Sequence, residues 1–218
     1  MPTLQKTSLV DQVYQVIRED ILCLRIPLGA KLNVQELERD FGVSRTPIRE
    51  ALIRLQQEGL ISCRSNAGAR VLSLAEGDIR DIQYLALTLH CAAIRLAMER
   101  GDRARIARRI GLWTDRYRSA SDQRAEVRAF HEVMGAFYHN CGNRRLDASM
   151  IAIQSLQLLL RNISALDRSA RASTLADLEE IRRGAPEGDA GAICQTVLEN
   201  ARRAEPFLID YVREHGGS

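Results

Sequence analysis

The chain has no apolar run near the roughly 18 residues that a membrane-spanning helix needs. It has no Cys-x-x-Cys pair. Its five cysteines, Cys23, Cys63, Cys91, Cys141 and Cys194, are scattered and odd in number, which argues against a disulfide framework and for a reducing compartment. Met1 to Lys6 lack the apolar core of a secretory signal, so a cytoplasmic protein without membrane partners is expected. Histidine is scarce: His90, His131, His139 and His215 fall on separate segments. No Ser/His/Asp set, Cys/His pair or metal cluster stands out, so an enzyme is not expected. Net charge is also small, at +3. That balance alone does not announce a nucleic-acid binder, and placement of the charges matters more.

What is present is one stretch that organises the rest. Gly42-Val43-Ser44-Arg45-Thr46-Pro47-Ile48-Arg49-Glu50-Ala51-Leu52, continuing to Ile61, reads as a turn, a helix of about four turns and a stop. Ser44 suits the N-cap, where its hydroxyl can accept from a first-turn N–H. Pro47 falls where a missing N–H costs little, and Gly59 suits the stop. Ile48, Ala51, Leu52 and Leu55 make the apolar face. Arg45 and Arg49, four apart, share a side near the N-terminus. Such an end suits phosphate oxygens and base edges, and an arginine can bridge one guanine edge with two hydrogen bonds. Taken alone, it is equally an amphipathic surface helix with solvated arginines.

The flanks favour DNA. Asn33 and Glu36 suggest a capping box that opens a short helix with Val34, Leu37 and Phe41 inward. With the Gly42 turn this makes a helix-turn-helix. Leu60 to Cys63 and Arg70 to Leu74 read as a hairpin wing tipped by Asn66 and Gly68. Arg64 and Arg70 flank it and favour a minor groove; a plain hairpin with solvated arginines is the alternative. Arg54 is also expected on the DNA side. Upstream, residues 1–7 are expected to be a loose arm. Ser8 and Asp11 can then box the start of a helix running to about Leu24.

After Leu74 nothing reads as strand. Six amphipathic helices begin near Asp78, Ile106, Val127, Asn143, Ser173 and Asp189, the last with a kink expected before Pro206. The fourth, with Ile151, Ile153, Leu156, Leu158, Leu159 and Leu160, is apolar on more than one face and is expected at the bundle centre. The fold expected is mainly α: an N-terminal winged helix-turn-helix domain over residues 1–74 and a C-terminal all-α antiparallel helix bundle over 75–218.

Residues 8–74 resemble the winged-helix domain of the GntR family of bacterial transcription regulators. Pro27 to Leu32, Gly42 to Leu52, Leu55, Glu58 to Ile61 and Gly68 carry the likeness. It implies that Arg45, Thr46, Arg49 and the wing glycine Gly68 contact double-stranded operator DNA. Ser44 would cap the recognition helix and touch phosphate. Gln35 stands where some relatives carry a DNA-contacting arginine, and its shorter, neutral side chain weakens a contact there. The helical tail resembles the FCD (FadR C-terminal domain) subgroup through Leu89 to Ala97, Ala129 to Met134, Gly142-Asn143 and Gly188-Asp189.

That second resemblance implies a homodimer controlled by a small-molecule effector, most often as a repressor. Many FCD bundles hold a divalent metal on an aspartate and histidines. Here the matching positions are Val127, His131, Leu178 and Asn200, and the usual arginine of the first tail helix is replaced by Ala86, with His90 nearby. One imidazole among four positions does not hold a metal. The expectation is therefore no cofactor, no metal, and an effector pocket around Ala86, His90, Val127, His131, Leu178 and Asn200 that is less suited to acids than the metal-bearing ones. A tail that only dimerises, or a weak metal site regrouped from His90, His131 and Asn200, are the alternatives.

Overall fold

A computed structural model describes residues 8–64 and 68–215. The expected arm over residues 1–7 lies outside the described residues. The chain divides into two compact units, one up to Leu74 and one from Ala75 to Glu214.

The first unit opens with α1 (Leu9–Leu22), and its capping box is present: Asp11 N–H donates to Ser8 Oγ while the Asp11 carboxylate accepts from Ser8 N–H. The helix stops two residues short of the expected end because Leu24 adopts φ +60. That left-handed conformation is costly for a non-glycine residue and has no sequence signature here. Next come β1 (Lys31–Leu32), α2 (Val34–Phe41), α3 (Arg45–Gln57), β2 (Ile61–Arg64) and β3 (Gly68–Val71).

Gly42 ends α2 at φ +64, which frees the chain to turn. Gly59 does the same after α3 at φ +74: Leu60 N–H donates to Leu55 C=O and Gly59 N–H to Gln56 C=O, the paired bonds of a Schellman end. The expected hairpin forms between β2 and β3. The two-residue β1, which the sequence did not suggest, adds to its other edge to give an antiparallel sheet of order β1-β3-β2. Ile48, Ala51, Leu52 and Leu55 are buried as the periodicity requires. Glu58, accepting from Tyr14 Oη and Arg18 Nε, pins the end of α3 to α1.

The second unit is helical throughout its described residues: α4 (Glu76–Arg100), α5 (Arg103–Arg118), α6 (Gln123–Tyr138), α7 (Arg144–Ser164), a 3-10 turn (Arg168–Ala170), α8 (Arg171–Glu187) and α9 (Ala190–His215). Asn143 Oδ1 caps α7 by accepting from Arg145 and Leu146 N–H. Asp189 caps α9 through Ala192 N–H. Pro206, expected to mark a kink, lies inside a continuous α9. The centre of the bundle is α6, not α7. It packs against α4, α5 and α7 and buries Val127, Ala129, Phe130, Val133, Met134 and Phe137. The surplus apolar residues of α7 lie at the margin, and Ile151 is exposed.

One buried carboxylate ties the loops together. Glu126, only 2% exposed, accepts two bonds from Arg168 and one from Arg171 Nε at 2.6 Å. Burial pushes its pKa up, but the arginine hydrogen bonds more than offset this and hold it below the ordinary range.

Candidate nucleic-acid interface and ligand cavity

In the first unit α3 buries one face and offers the other. Arg45, Thr46 and Arg49 are all exposed in its first turns. The Arg45 side chain keeps 59% exposure, with Nε bonded to Glu38 Oε2 at 3.0 Å. Among the described residues its terminal nitrogens have no partner of their own, so they stay open to a ligand. Among the described residues no carboxylate pairs with Arg49. Ser44 occupies the N-cap in extended conformation, yet its hydroxyl makes no capping bond, contrary to expectation. The hydroxyl and the first-turn N–H groups of α3 are thus both available to an anion.

Gln35 is exposed at the start of α2, and its N–H donates to Asn33 Oδ1. The capping box expected there is only half made. Glu36 accepts from the Asn33 amide instead of from its backbone.

Gly68 opens β3 at φ +73 and is exposed. A Cβ there would meet only Lys31 Cε, at 4.0 Å, so conformation rather than crowding calls for glycine. Asn66 lies outside the described residues, as does the Arg64 side chain.

Two further arginines expected on the DNA side also make bonds within the unit. Arg54 Nη1 bonds Asp11 at 2.5 Å and its guanidinium lies 6.0 Å from the Tyr14 ring. Arg70 Nη1 donates to Gly29 C=O at 3.1 Å. Both partners are distant in sequence, which is why spacing could not reveal them.

In the second unit the predicted pocket residues separate. Ala86 and His90 line a cavity with about 50 Å³ of free space among α4, α6, α7 and α9. His90 and His131 line a second, of about 240 Å³, between α4, α6 and α7. Val127 lines a third, of about 20 Å³, toward the α7–α8 loop. Leu178 is fully buried in the core and, like Asn200, lines none of the three.

The metal positions do not fit a metal. Val127 and Leu178 have no donor atom. His131 Nε2 is paired with the Gln154 amide at 3.0 Å. Asn200 Oδ1 accepts from Arg161, a cation that would repel one. His90 Nδ1 is hydrogen-bonded to Tyr138 Oη at 3.1 Å, and burial, with the Arg161 charge, pushes the pKa of His90 down to about 3. His90 and His131 line one cavity, and Asn200 lines none of the three. Among the described residues no three His, Cys, Asp or Glu side chains gather as a metal site.

Sequence reasoning missed a charged residue that lines two of these cavities. Arg161, on α7, lines the first and third, and its guanidinium lies 3.6 Å from the Phe130 ring centroid. Its Nη2 donates to Asn200 Oδ1 at 3.0 Å, and Asn200 Nδ2 donates to Asp177 Oδ2 at 2.7 Å. Arg203 holds the same Asp177 oxygen. The pocket is therefore not stripped of arginine, as Ala86 suggested; the arginine comes from another helix. A signal existed. Gln154, Gln157, Arg161 and Ser164 recur at steps of three and four, a polar stripe inside the helix that drew notice only for its leucines.

Residues 9–71 match the model for bacterial regulatory proteins of the gntR family. A transcriptional repressor of Escherichia coli strain K12, RspR, is 35% identical over 86 residues, 39% of this chain and 38% of that one. A probable D-xylose utilization operon repressor of Paenarthrobacter nicotinovorans is 37% identical over 94 residues, 43% and 42% of the two chains. The matched stretch thus spans about two-fifths of these relatives. Across nearly the whole chain the fold resembles that of a putative GntR transcriptional regulator from Rhodococcus sp. RHA1, with TM-score 0.74 and 22% identity over 92% of this chain and 97% of that one. It also resembles E. coli McbR/YncC, with TM-score 0.76 and 18% identity over 94% and 99%. Among the described residues no helix is long and apolar enough to cross a membrane.

Proposed function

We propose that this chain, with a gntR-family domain at residues 9–71, is a transcription regulator that binds duplex operator DNA as a homodimer. The observation that carries the reading is the exposed first turn of α3, with Arg45, Thr46 and Arg49 beside the unspent hydroxyl of Ser44. Two such helices related by a two-fold axis would read two half-sites of one operator. Gly68 would let the wing backbone approach the neighbouring groove, with Arg64 and Asn66 beside it, and Gln35 would sit near the backbone. The repressor names of two relatives support repression as the output.

A second copy of the chain is the partner that α4 suits. Tyr84, 77% exposed, stands in a shallow trough with Leu87, Thr88, Cys91, Ala92, Arg95 and Leu198, a mostly apolar stretch with one cation. The bundle cavities would take a small effector in the absence of a metal. Binding there would shift the balance between dimer arrangements, and so operator affinity. The test is anisotropy titration of the purified chain on duplexes from around its own gene, at several salt concentrations, with light scattering for mass. A dimer whose affinity falls steeply with salt is expected. A monomer, or no salt-dependent binding to any of these duplexes, would overturn the reading.

A further inference from the structure

We propose that the solvent face of α5 is a docking surface for an acidic amphipathic protein segment, one that carries a large apolar side chain among its carboxylates.

The charge of the chain is not spread evenly. The helix α5 carries six arginines and one acid, while the whole chain stands at only +3. Helix stability does not call for such crowding. Arg105 stands three residues from Arg108 and four from Arg109, the spacings at which like charges destabilise a helix. Internal partners answer only half of the six. Arg103 Nε donates to Met98 C=O, Arg109 pairs with Glu132 of α6, and Arg118 pairs with Asp115 and with Glu179 of α8. Among the described residues Arg105, Arg108 and Arg116 have no carboxylate partner, and all three are exposed.

Arg105, Arg108, Leu112 and Arg116 follow at steps of three and four, so they share one stripe of the helix. Leu112, within it, is 50% exposed. Beside it Trp113 is half-buried and faces two cations. The Arg116 guanidinium lies 4.2 Å from its ring centroid, and that of Arg128, from α6, lies 5.8 Å away. The two guanidinium groups are thus no farther apart than about the Debye length in dilute salt, roughly 10 Å. They repel each other, and among the described residues no carboxylate pairs with either. A carboxylate set between them would relieve that repulsion and accept charge-assisted hydrogen bonds.

An apolar centre ringed by arginines has the anatomy of a protein contact, where Trp and Arg are the enriched anchors. Charge complementarity makes the occupant acidic. A nucleic acid suits the face less well. A phosphate backbone has no use for an exposed leucine, and the Glu132 carboxylate beside Arg109 would repel it.

The test uses the full chain and a fluorescein-labelled peptide of Glu and Ala residues around one Leu and one Phe. Its length is about 14 residues, roughly that of the α5 stripe as a helix. A twin peptide has every Glu replaced by Gln. In anisotropy titrations the acidic peptide should bind about tenfold tighter than its twin, and less tightly as salt rises. Arg116→Gln combined with Arg128→Gln should erase that preference. Leu112→Gln should weaken the acidic peptide about threefold or more. These side chains are exposed, and melting curves check that the variants fold. Molecular mass and operator affinity should stay at the wild-type values. The proposal is overturned if the twin binds as well, if the double variant keeps the preference, or if Leu112→Gln changes nothing. Loss of mass in the variants would give the face to a second copy of the chain. A shallower salt dependence of their DNA binding would give it to phosphate, and either result also overturns the proposal. The comparison of the two peptides needs no variant, so a poorly folded variant does not shelter the idea.

Discussion

Replacing Arg49 with alanine should cripple DNA binding, while the same replacement at Arg54 should not. Both substitutions remove one positive charge from α3, so the long-range field changes equally. Geometry separates them. Five residues place Arg54 about 140° round the helix and about 7.5 Å farther along it than Arg49. Arg54 is turned back onto Asp11 and Tyr14, whereas Arg49 is exposed on the open face. If Arg49 grips a base edge, its loss costs about 1–3 kcal/mol, or roughly 5- to 150-fold in affinity. If it grips phosphate, the slope of log affinity against log salt falls by about 0.9. Arg54→Ala removes an exposed ion pair worth about 0–1 kcal/mol to folding and should move affinity less than about twofold. The assay is anisotropy titration on one duplex at fixed salt and then across salt, with melting curves to establish that both variants are folded. Equal losses from the two variants would refute the argument, because only net charge would then matter.

Three further outcomes are expected. Ser44→Ala should lower unfolding stability by less than about 0.5 kcal/mol in urea titration, because the hydroxyl makes no capping bond; a loss near 1 kcal/mol, the usual value of a cap, would contradict that. Glu126→Gln should destabilise the helical unit by about 1–2 kcal/mol: it weakens the charge-assisted bonds, while Arg168 and Arg171 still reach solvent. The wild-type stabilisation from Glu126, whose folded pKa is depressed, is present above the ordinary glutamate range and lost as pH falls through it and below; urea titrations at pH 7 and pH 3 should show a smaller gap between wild type and variant at the lower pH. His90 binds its proton more readily when unfolded, so acid destabilises the fold by about 1.4 kcal/mol per pH unit between pH 6.5 and about 3. Nitrogen NMR should show its ring neutral at pH 5, and a charged ring in the folded protein would refute the burial argument.

Local rules made much of the fold legible. The Ser8–Asp11 box, the glycine turns at Gly42 and Gly59 and the caps at Asn143 and Asp189 each need only a few neighbouring residues to be read. The buried face of α3 was legible from its period. What stayed hidden depends on distant partners. Lys31 and Leu32 form a strand only because Arg70 and Ala69 lie alongside, and two residues carry no period. Arg54 and Arg70 have the spacing of DNA contacts, and their bonds to Asp11 and Gly29 could not be read from that spacing. The leucines around Arg161 mask it, and an alanine at position 86 says nothing of an arginine that another helix supplies. Apolar content alone points to α7 as the bundle centre. Position among neighbours decides burial, and α6, with fewer leucines, is enclosed by three helices.

Pro206 has a mechanical consequence. A proline nitrogen carries no hydrogen, so the carbonyl of Arg202 loses the amide partner that a regular turn would supply. The 26-residue α9 therefore has one rung missing between the part that packs Ile193 and Val197 and the part that packs Leu208, Ile209 and Val212. A rod weakened at a single point yields there first. Strain arriving near Asn200 can be absorbed at that joint while both packed segments stay seated.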